Sequence, residues 1–199
     1  MVEKMNLLLG ISGSPRNQGT EYAVQYALKY ASEKFGFDTD FWTVRNKKIN
    51  FCIHCDYCIR EKKGCINKDD MQILYDKLEQ AKFLLLGTPV FQGNLSGQLK
   101  TVMDRCRAMV AKNPNVFKNK IGGALAIGGD RNGGQEIAIR SILDFFQQNH
   151  ILVVSGGAFG ANLGASLWSK DLGLKGIESD NEGLKSIRKV IKRMAEFKD

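Results

Sequence analysis

Four of the chain's five cysteines fall within fourteen residues, at Cys52, Cys55, Cys58 and Cys65, in the spacing C-x2-C-x2-C-x6-C. Two x2 spacings in a row let one short loop wrap three thiolates around a single centre, and the fourth arrives from just beyond. Four thiolates in one compact run are the donor set of a [4Fe–4S] cluster, one cysteine per iron. Other chemistries stay open at this level. Structural zinc usually takes two knuckles separated by a longer spacer, or uses histidine, and His54 lies between the first two cysteines. Paired disulfides belong to secreted chains, and nothing in the sequence signals secretion. Redox-active or inert thiols are the remaining alternative. Cys106, the fifth cysteine, falls in a helical pattern and reads as a core residue.

A second set of residues could hold a phosphate. Ser12, Ser14, Arg16, Asn17 and Thr20 lie in the stretch Ser12-Gly13-Ser14-Pro15-Arg16-Asn17-Gln18-Gly19-Thr20. Hydroxyls, backbone amides, a guanidinium and a helix amino terminus are the parts of a phosphate cradle. The lysine and spacing of a triphosphate loop are missing, as is the dinucleotide fingerprint, so a single monoester phosphate suits the stretch better. A plain turn that caps the helix through Asn17 or Thr20 is the competing reading. Two more loops could meet a flat ring. Thr88-Pro89-Val90-Phe91-Gln92-Gly93-Asn94 offers an aromatic and backbone polar groups at a strand end, or else Phe91 packs on the core. Gly128-Gly129-Asp130-Arg131-Asn132-Gly133-Gly134 lets backbone approach a ring closely, or serves as a flexible turn. The two histidines, His54 and His150, are too few and uncoordinated in sequence to build a nucleophilic triad. No catalytic side chain is therefore assigned.

The elements that must position these loops alternate. Asn6–Ile11 reads as a buried parallel strand and Gly19–Phe35 as a helix, with Ala23, Ala27 and Ala31 beside Tyr22, Tyr26 and Tyr30 in adjacent stripes. Asp38–Val44 suits an edge strand. The cysteine loop spans about 46–67, with few apolar residues of its own to order it. Asp69-Asp70 opens a helix through Ala81 with Met71, Leu74 and Leu78 inward. Phe83–Leu86 is an apolar strand ended by Gly87-Thr88-Pro89. A helix over Gln98–Ala111, a strand over Ile121–Ile127, a helix over Gln135–Asn149 and a strand over Ile151–Val154 follow. Gly156–Gly176 reads as a long glycine-rich connection, with Phe159, Leu163, Leu167 and Trp168 as a surface for a partner subunit or for its own chain. Gly183–Phe197 closes as a helix. The pattern predicts an α/β fold: a flavodoxin-like doubly wound five-stranded parallel sheet, order 2-1-3-4-5, in a single domain over residues 1–199. All four loops then leave carboxyl ends of strands, the edge where such sheets bind ligands.

Composition bounds the rest. The chain has 199 residues, 43% hydrophobic and 25% charged, as expected of a soluble globular protein. No apolar run approaches membrane-spanning length, and the expected compartment is a reducing cytoplasm. Net charge is +8, yet the positive residues are spread between Arg45–Lys48, Arg60–Lys63 and one solvated face of the last helix, so neither nucleic acid nor membrane is expected. A basic rim near a redox site could instead steer an acidic electron-carrier protein.

The segments Gly10–Thr20 with SGSPR, Gly87–Arg105 with GTPVFQGNLSGQLKTVMDR, and Gly128–Glu136 with GGDRNGGQE resemble the three flavin-contacting segments of the NAD(P)H-dependent FMN reductase-like branch of flavodoxin folds. With the cysteine insertion, the chain resembles the archaeal-type iron–sulfur flavoprotein family. That resemblance runs from about Asn6 to Val154. It implies one FMN and one [4Fe–4S] cluster per subunit, in a homodimer or homotetramer where the cluster of one subunit lies close to the flavin of another. The implied cluster ligands are Cys52, Cys55, Cys58 and Cys65. The implied phosphate contacts are Ser12, Ser14, Arg16, Asn17 and Thr20. The implied ring contacts are Pro89, Val90, Phe91, Gln92, Gly93 and Asn94, with Gly129, Asp130, Gly133 and Gly134. The implied activity passes electrons from a ferredoxin-like donor to a small oxidant. An NAD(P)H-dependent FMN or quinone reductase without a cluster is the alternative.

Overall fold

The computed structural model describes residues 4–198. Five positions of a parallel sheet run in the order β2 (Asp38–Thr43), β1 (Lys4–Ser12), β3 (Ala81–Phe91), β5 (Ile121–Gly128) and β6 (Leu152–Val153). This is the expected doubly wound order, with the polar strand at the edge. Side chains alternate across the sheet as the two-residue repeat of a strand requires. Leu8, Phe83 and Leu85 pack on one face with α1 (Gly19–Phe35), α7 (Leu174–Glu178) and α8 (Asn181–Ala195). Leu9, Leu84 and Leu86 pack on the other with α3 (Met71–Gln80), α4 (Gly97–Arg105), α5 (Arg107–Lys112) and α6 (Gln135–Gln148). The α1 helix lies so close that a Cβ on Gly10 would sit 2.7 Å from Val24, and only glycine permits that approach.

Three elements differ from the sequence expectation. The strand expected over Phe83–Leu86 continues through Phe91. Pairing with β1 stops at Gly87, so Pro89 lies beyond it, where a missing N–H breaks no bond to β1. Phe91 then turns back through Gln92 and Gly93, both at positive φ, into the short antiparallel β4 (Asn94–Leu95). The stretch read as a ligand loop is thus a strand end plus a tight hairpin.

The helix expected over Gln98–Ala111 breaks at Cys106. Met109 N–H bonds to the Cys106 carbonyl, at three residues' spacing, which releases the Arg105 carbonyl from the helical ladder. The hydroxyl of Tyr75 donates to that carbonyl at 3.0 Å.

The connection expected over Gly156–Gly176 holds a strand and a helix. β6 pairs only with Ile121 and Gly122, and β7 (Ala165–Trp168) resumes the ladder on the far half of β5, from Leu125 to Gly128. The fifth position of the sheet is filled by two short strands in tandem. The chain between them bulges out and is pinched by a Gly157–Ala161 bridge. Leu167 is buried and Trp168 half-buried, both within their own chain, while Phe159 at the tip of the bulge is 92% exposed.

Candidate functional site

Main-chain and side-chain bonds tie the carboxyl-edge loops into one rim. Gly13 N–H donates to the Gly87 carbonyl at 2.7 Å, and the Ser96 hydroxyl donates to the Gly13 carbonyl at 2.6 Å. Ser96 also caps α4 by accepting from Leu99 N–H. A Cβ on Gly134 would sit 2.6 Å from the Gly93 carbonyl, so the hairpin and the glycine loop touch. The glycine loop is roofed in turn by Trp168, whose Nε1–H donates to the Gly129 carbonyl at 2.7 Å. The Arg131 guanidinium stacks over that indole at 4.5 Å.

The phosphate candidates divide by burial. Ser12, Ser14 and Thr20 are buried, while Arg16 and Asn17 are exposed. The Ser14 hydroxyl accepts from Arg16 N–H and donates to the Arg16 carbonyl, both at 3.1 Å, which folds the loop back on itself. Neither Asn17 nor Thr20 is the N-cap of α1. Gln18 holds that place with no capping bond from its side chain, and its amide oxygen accepts from Leu174 N–H instead. The amino terminus of a 17-residue helix therefore opens onto this loop without a side-chain cap, as an anion site requires.

Of the ring candidates, Pro89 is buried and Val90 half-buried, both in β3. Phe91, Gln92, Gly93 and Asn94 are exposed. The Asn94 side-chain Oδ1 accepts from the Leu95 N–H and the Ser141 hydroxyl, which fixes the hairpin on α6. Gly129, Gly133 and Gly134 are half-buried and Asp130 is exposed. A Cβ on Gly93 would meet nothing within 4 Å, so the hairpin tip is open to a ligand.

The cysteine loop leaves the same edge after β2. It contains one short helix, α2 (Tyr57–Glu61), with Cys58 buried in its first turn. Cys52, Cys55, Cys58 and Cys65 all line one small cavity, together with Asp104, Arg105, Arg107 and Ala108 from α4 and α5. Among the described residues, no three His, Cys, Asp or Glu side chains come close enough to hold a single ion. Cys106 stays outside this group. Burial pushes its thiol up to about 12, so it remains protonated and inert in the core.

Residues 6–166 match the family model described as NADPH-dependent FMN reductase. An iron–sulfur flavoprotein of Methanocaldococcus jannaschii is 59% identical over 95% of both chains. Another from Archaeoglobus fulgidus is 53% identical over 96% of both. The chain belongs to the iron–sulfur flavoprotein family. Among solved structures, the WrbA-like flavodoxin of Agrobacterium tumefaciens superposes with a TM-score of 0.67 at 15% identity, over 97% of this chain and 96% of the other, which supports the flavodoxin-like fold. As a member of this family, the chain is a flavin-dependent electron-transfer oxidoreductase.

Sequence reasoning missed the residues that hold the family's cysteine loop in place. Arg105, Asp69 and Asp70 close its neck. The Asp70 carboxylate accepts from Lys48 N–H at 2.7 Å, and Asp70 N–H returns a bond to the Lys48 carbonyl. The Asp69 carboxylate accepts from Asn50 N–H at 2.9 Å and from Met71 N–H at 3.2 Å. Arg105 pairs with Asp69 at 2.7 Å, and both side chains are within 2% of full burial. Farther out, Arg107 bonds the Asp56 carboxylate and Arg60 bonds the Cys55 carbonyl. Burial alone would raise the Asp69 carboxyl. The Arg105 hydrogen bonds and the Asn50 and Met71 N–H groups outweigh that and hold it below the usual carboxylate range. The available signal was the acidic pair after the last cysteine, which reads equally well as a helix start. Here Asp69 and Asp70 serve the loop as well as α3. Among the described residues, no helix is long and apolar enough to cross a membrane.

Proposed function

We propose that the protein takes electrons from a ferredoxin-like donor, or from NAD(P)H, and delivers them to a small oxidant such as a quinone, oxygen or peroxide by way of a [4Fe–4S] cluster and FMN. The observation that carries this reading is the ring of four cysteines around one cavity, on a loop that leaves the same sheet edge as the flavin segments. A cluster supplies single electrons and a flavin accepts one or two, so the pair converts between one-electron and two-electron partners. Cys52, Cys55, Cys58 and Cys65 would hold the cluster. The C-x2-C-x2-C-x6-C spacing suits one thiolate for each iron better than the two separated knuckles of structural zinc. Ser12, Ser14, Arg16, Asn17, Thr20 and the open start of α1 would hold the phosphate of FMN. Residues 89–94 and the loop with Gly129, Asp130, Gly133 and Gly134 would flank its ring.

Phe51, Ile53, Ile59 and Ile66 are exposed around the cysteines. A neighbouring subunit in a homodimer or homotetramer would cover them. Thiolates of this kind persist in a reducing cytoplasm. The family model's description favours a second reading, an NAD(P)H-dependent FMN or quinone reductase without a cluster.

Iron, sulfide and flavin counts on anaerobically purified protein decide between them. Four irons and four sulfides per FMN are expected on the first reading. Flavin alone, with turnover of NAD(P)H, would establish the second. For the phosphate cradle, Arg16→Ala should weaken FMN binding by about 1.5–3 kcal/mol, the value of a hydrogen bond to a charged group. Unchanged affinity in a fluorescence titration would remove this loop from the site.

A further inference from the structure

We infer that Arg105 is a positioning residue of the cysteine loop: it closes the loop's neck and donates its remaining N–H to a sulfur of the cluster held there. The inference rests on the cluster reading above. Arg105 is the largest of the fully buried side chains, and a buried guanidinium requires partners for its five N–H groups. One terminal nitrogen donates to the Asn50 carbonyl and to Asp69, both at 2.7 Å. The other donates to Asp69 at 3.1 Å and to the Asn67 carbonyl at 3.4 Å. Asn50 stands two residues before Cys52, and Asn67 stands two residues after Cys65. One side chain thus ties the entrance of the loop to its exit.

The Nε–H remains. It is buried and has no partner among the described residues. Arg105 lines the same cavity as all four cysteines. An unmatched donor beside a cysteine-lined cavity calls for an acceptor inside that cavity, and cluster sulfur is an acceptor. Hydrogen bonds to cluster sulfur stabilise the more negative, reduced state and so raise the reduction potential. Arg107 also borders the cavity, but its side chain is 31% exposed and is paired with Asp56. Lysine at position 105 would keep the charge but lose the fork that spans the neck and the separate Nε–H.

The test uses the reduced holoprotein carrying nitrogen-15-labelled arginine, read by pulsed electron–nuclear double resonance. Coupling from one arginine nitrogen to the cluster spin is expected. It should persist in Arg107→Lys and vanish in Arg105→Lys. Where Arg105→Lys assembles a cluster, its potential should fall while the flavin content stays unchanged. Where that variant assembles none, the wild-type coupling and its survival in Arg107→Lys carry the test. Four irons and four sulfides with no arginine coupling, or a coupling lost in Arg107→Lys, overturn the role of Arg105 and leave the cluster assignment intact. Wild-type protein that holds no iron and sulfide when purified anaerobically overturns both.

Discussion

Along β3, Phe83, Leu84, Leu85 and Leu86 are each at most 2% exposed, whereas from residue 50 to residue 67 Cys58 alone is buried. The first stretch is held by apolar contact with helices on both faces of the sheet. The second is held at its ends, by a buried ion pair and a few main-chain bonds to Asp69, Asp70 and Arg105. These two kinds of support fail differently. Apolar contacts are shared among many elements and are lost together. A polar neck is lost locally, since the core does not depend on it. The sheet and the cysteine loop are therefore separable in stability although the loop leaves the sheet's carboxyl edge.

The largest expected effect breaks both regions at once. Phe83 is fully buried and meets the Phe37 ring edge-on at 4.9 Å. Phe83→Ala removes that contact and leaves a cavity at the centre of the sheet, costing about 3–5 kcal/mol. Urea unfolding followed by circular dichroism should show the loss in one transition, with the flavin edge and the cysteine loop released together. Survival of either region past that transition would show that the core does not support it.

A smaller and more local effect is expected at the neck. Asp69→Ala strands the Arg105 guanidinium in a buried place, at a cost of roughly 3 kcal/mol. Hydrogen exchange should quicken in residues 46–68 while the amides of β3 and β5 keep their protection. Equal loss of protection in the sheet would join the two regions, and unchanged exchange in the loop would show that the neck is held by something else.

The same contrast explains what could be read from the sequence. Apolar periodicity is local, so α1 over Gly19–Phe35 and the sheet order were legible. The cysteine ring was legible because its spacing is short. The tandem β6 and β7 were not. Ala165–Trp168 follows a glycine-rich bulge, and it becomes a strand only because the outer half of β5 offers a free edge. Nor was the break at Cys106, which leaves the Arg105 carbonyl to a Tyr75 hydroxyl thirty residues from it. The neck was hidden for the same reason, since Arg105 acts 36 to 55 residues from its partners. Sequence showed the cysteines of the loop and left out the side chains that hold its neck.

The smallest effect is a pH dependence, and it separates the two supports without mutation. The charged group facing Asp69 is Arg105, whose own neighbours include the neutral Tyr75 hydroxyl and Cys65. The folded carboxyl lies below its ordinary value, about 3.9 in an open chain. A depressed carboxyl stabilises the folded neck above that open-chain value, and the contribution is lost as pH falls through the depressed one. From pH 7 down to about 5, the neck should therefore be unaffected. Below about 3.9 the Asn50 and Met71 amides, which donate to this carboxylate, should lose their hydrogen-bonded resonance positions together. The amides of β3 lie in a ladder with no carboxylate partner at Leu84 or Leu85, and they should stay in place through the same step. Amide resonances followed through an acid titration make the comparison in one sample. A shared midpoint below 3.9 for Asn50 and Met71 alone would confirm a neck held by this carboxylate. A midpoint above it, or movement of the β3 amides in the same step, would place the loop's support in the sheet.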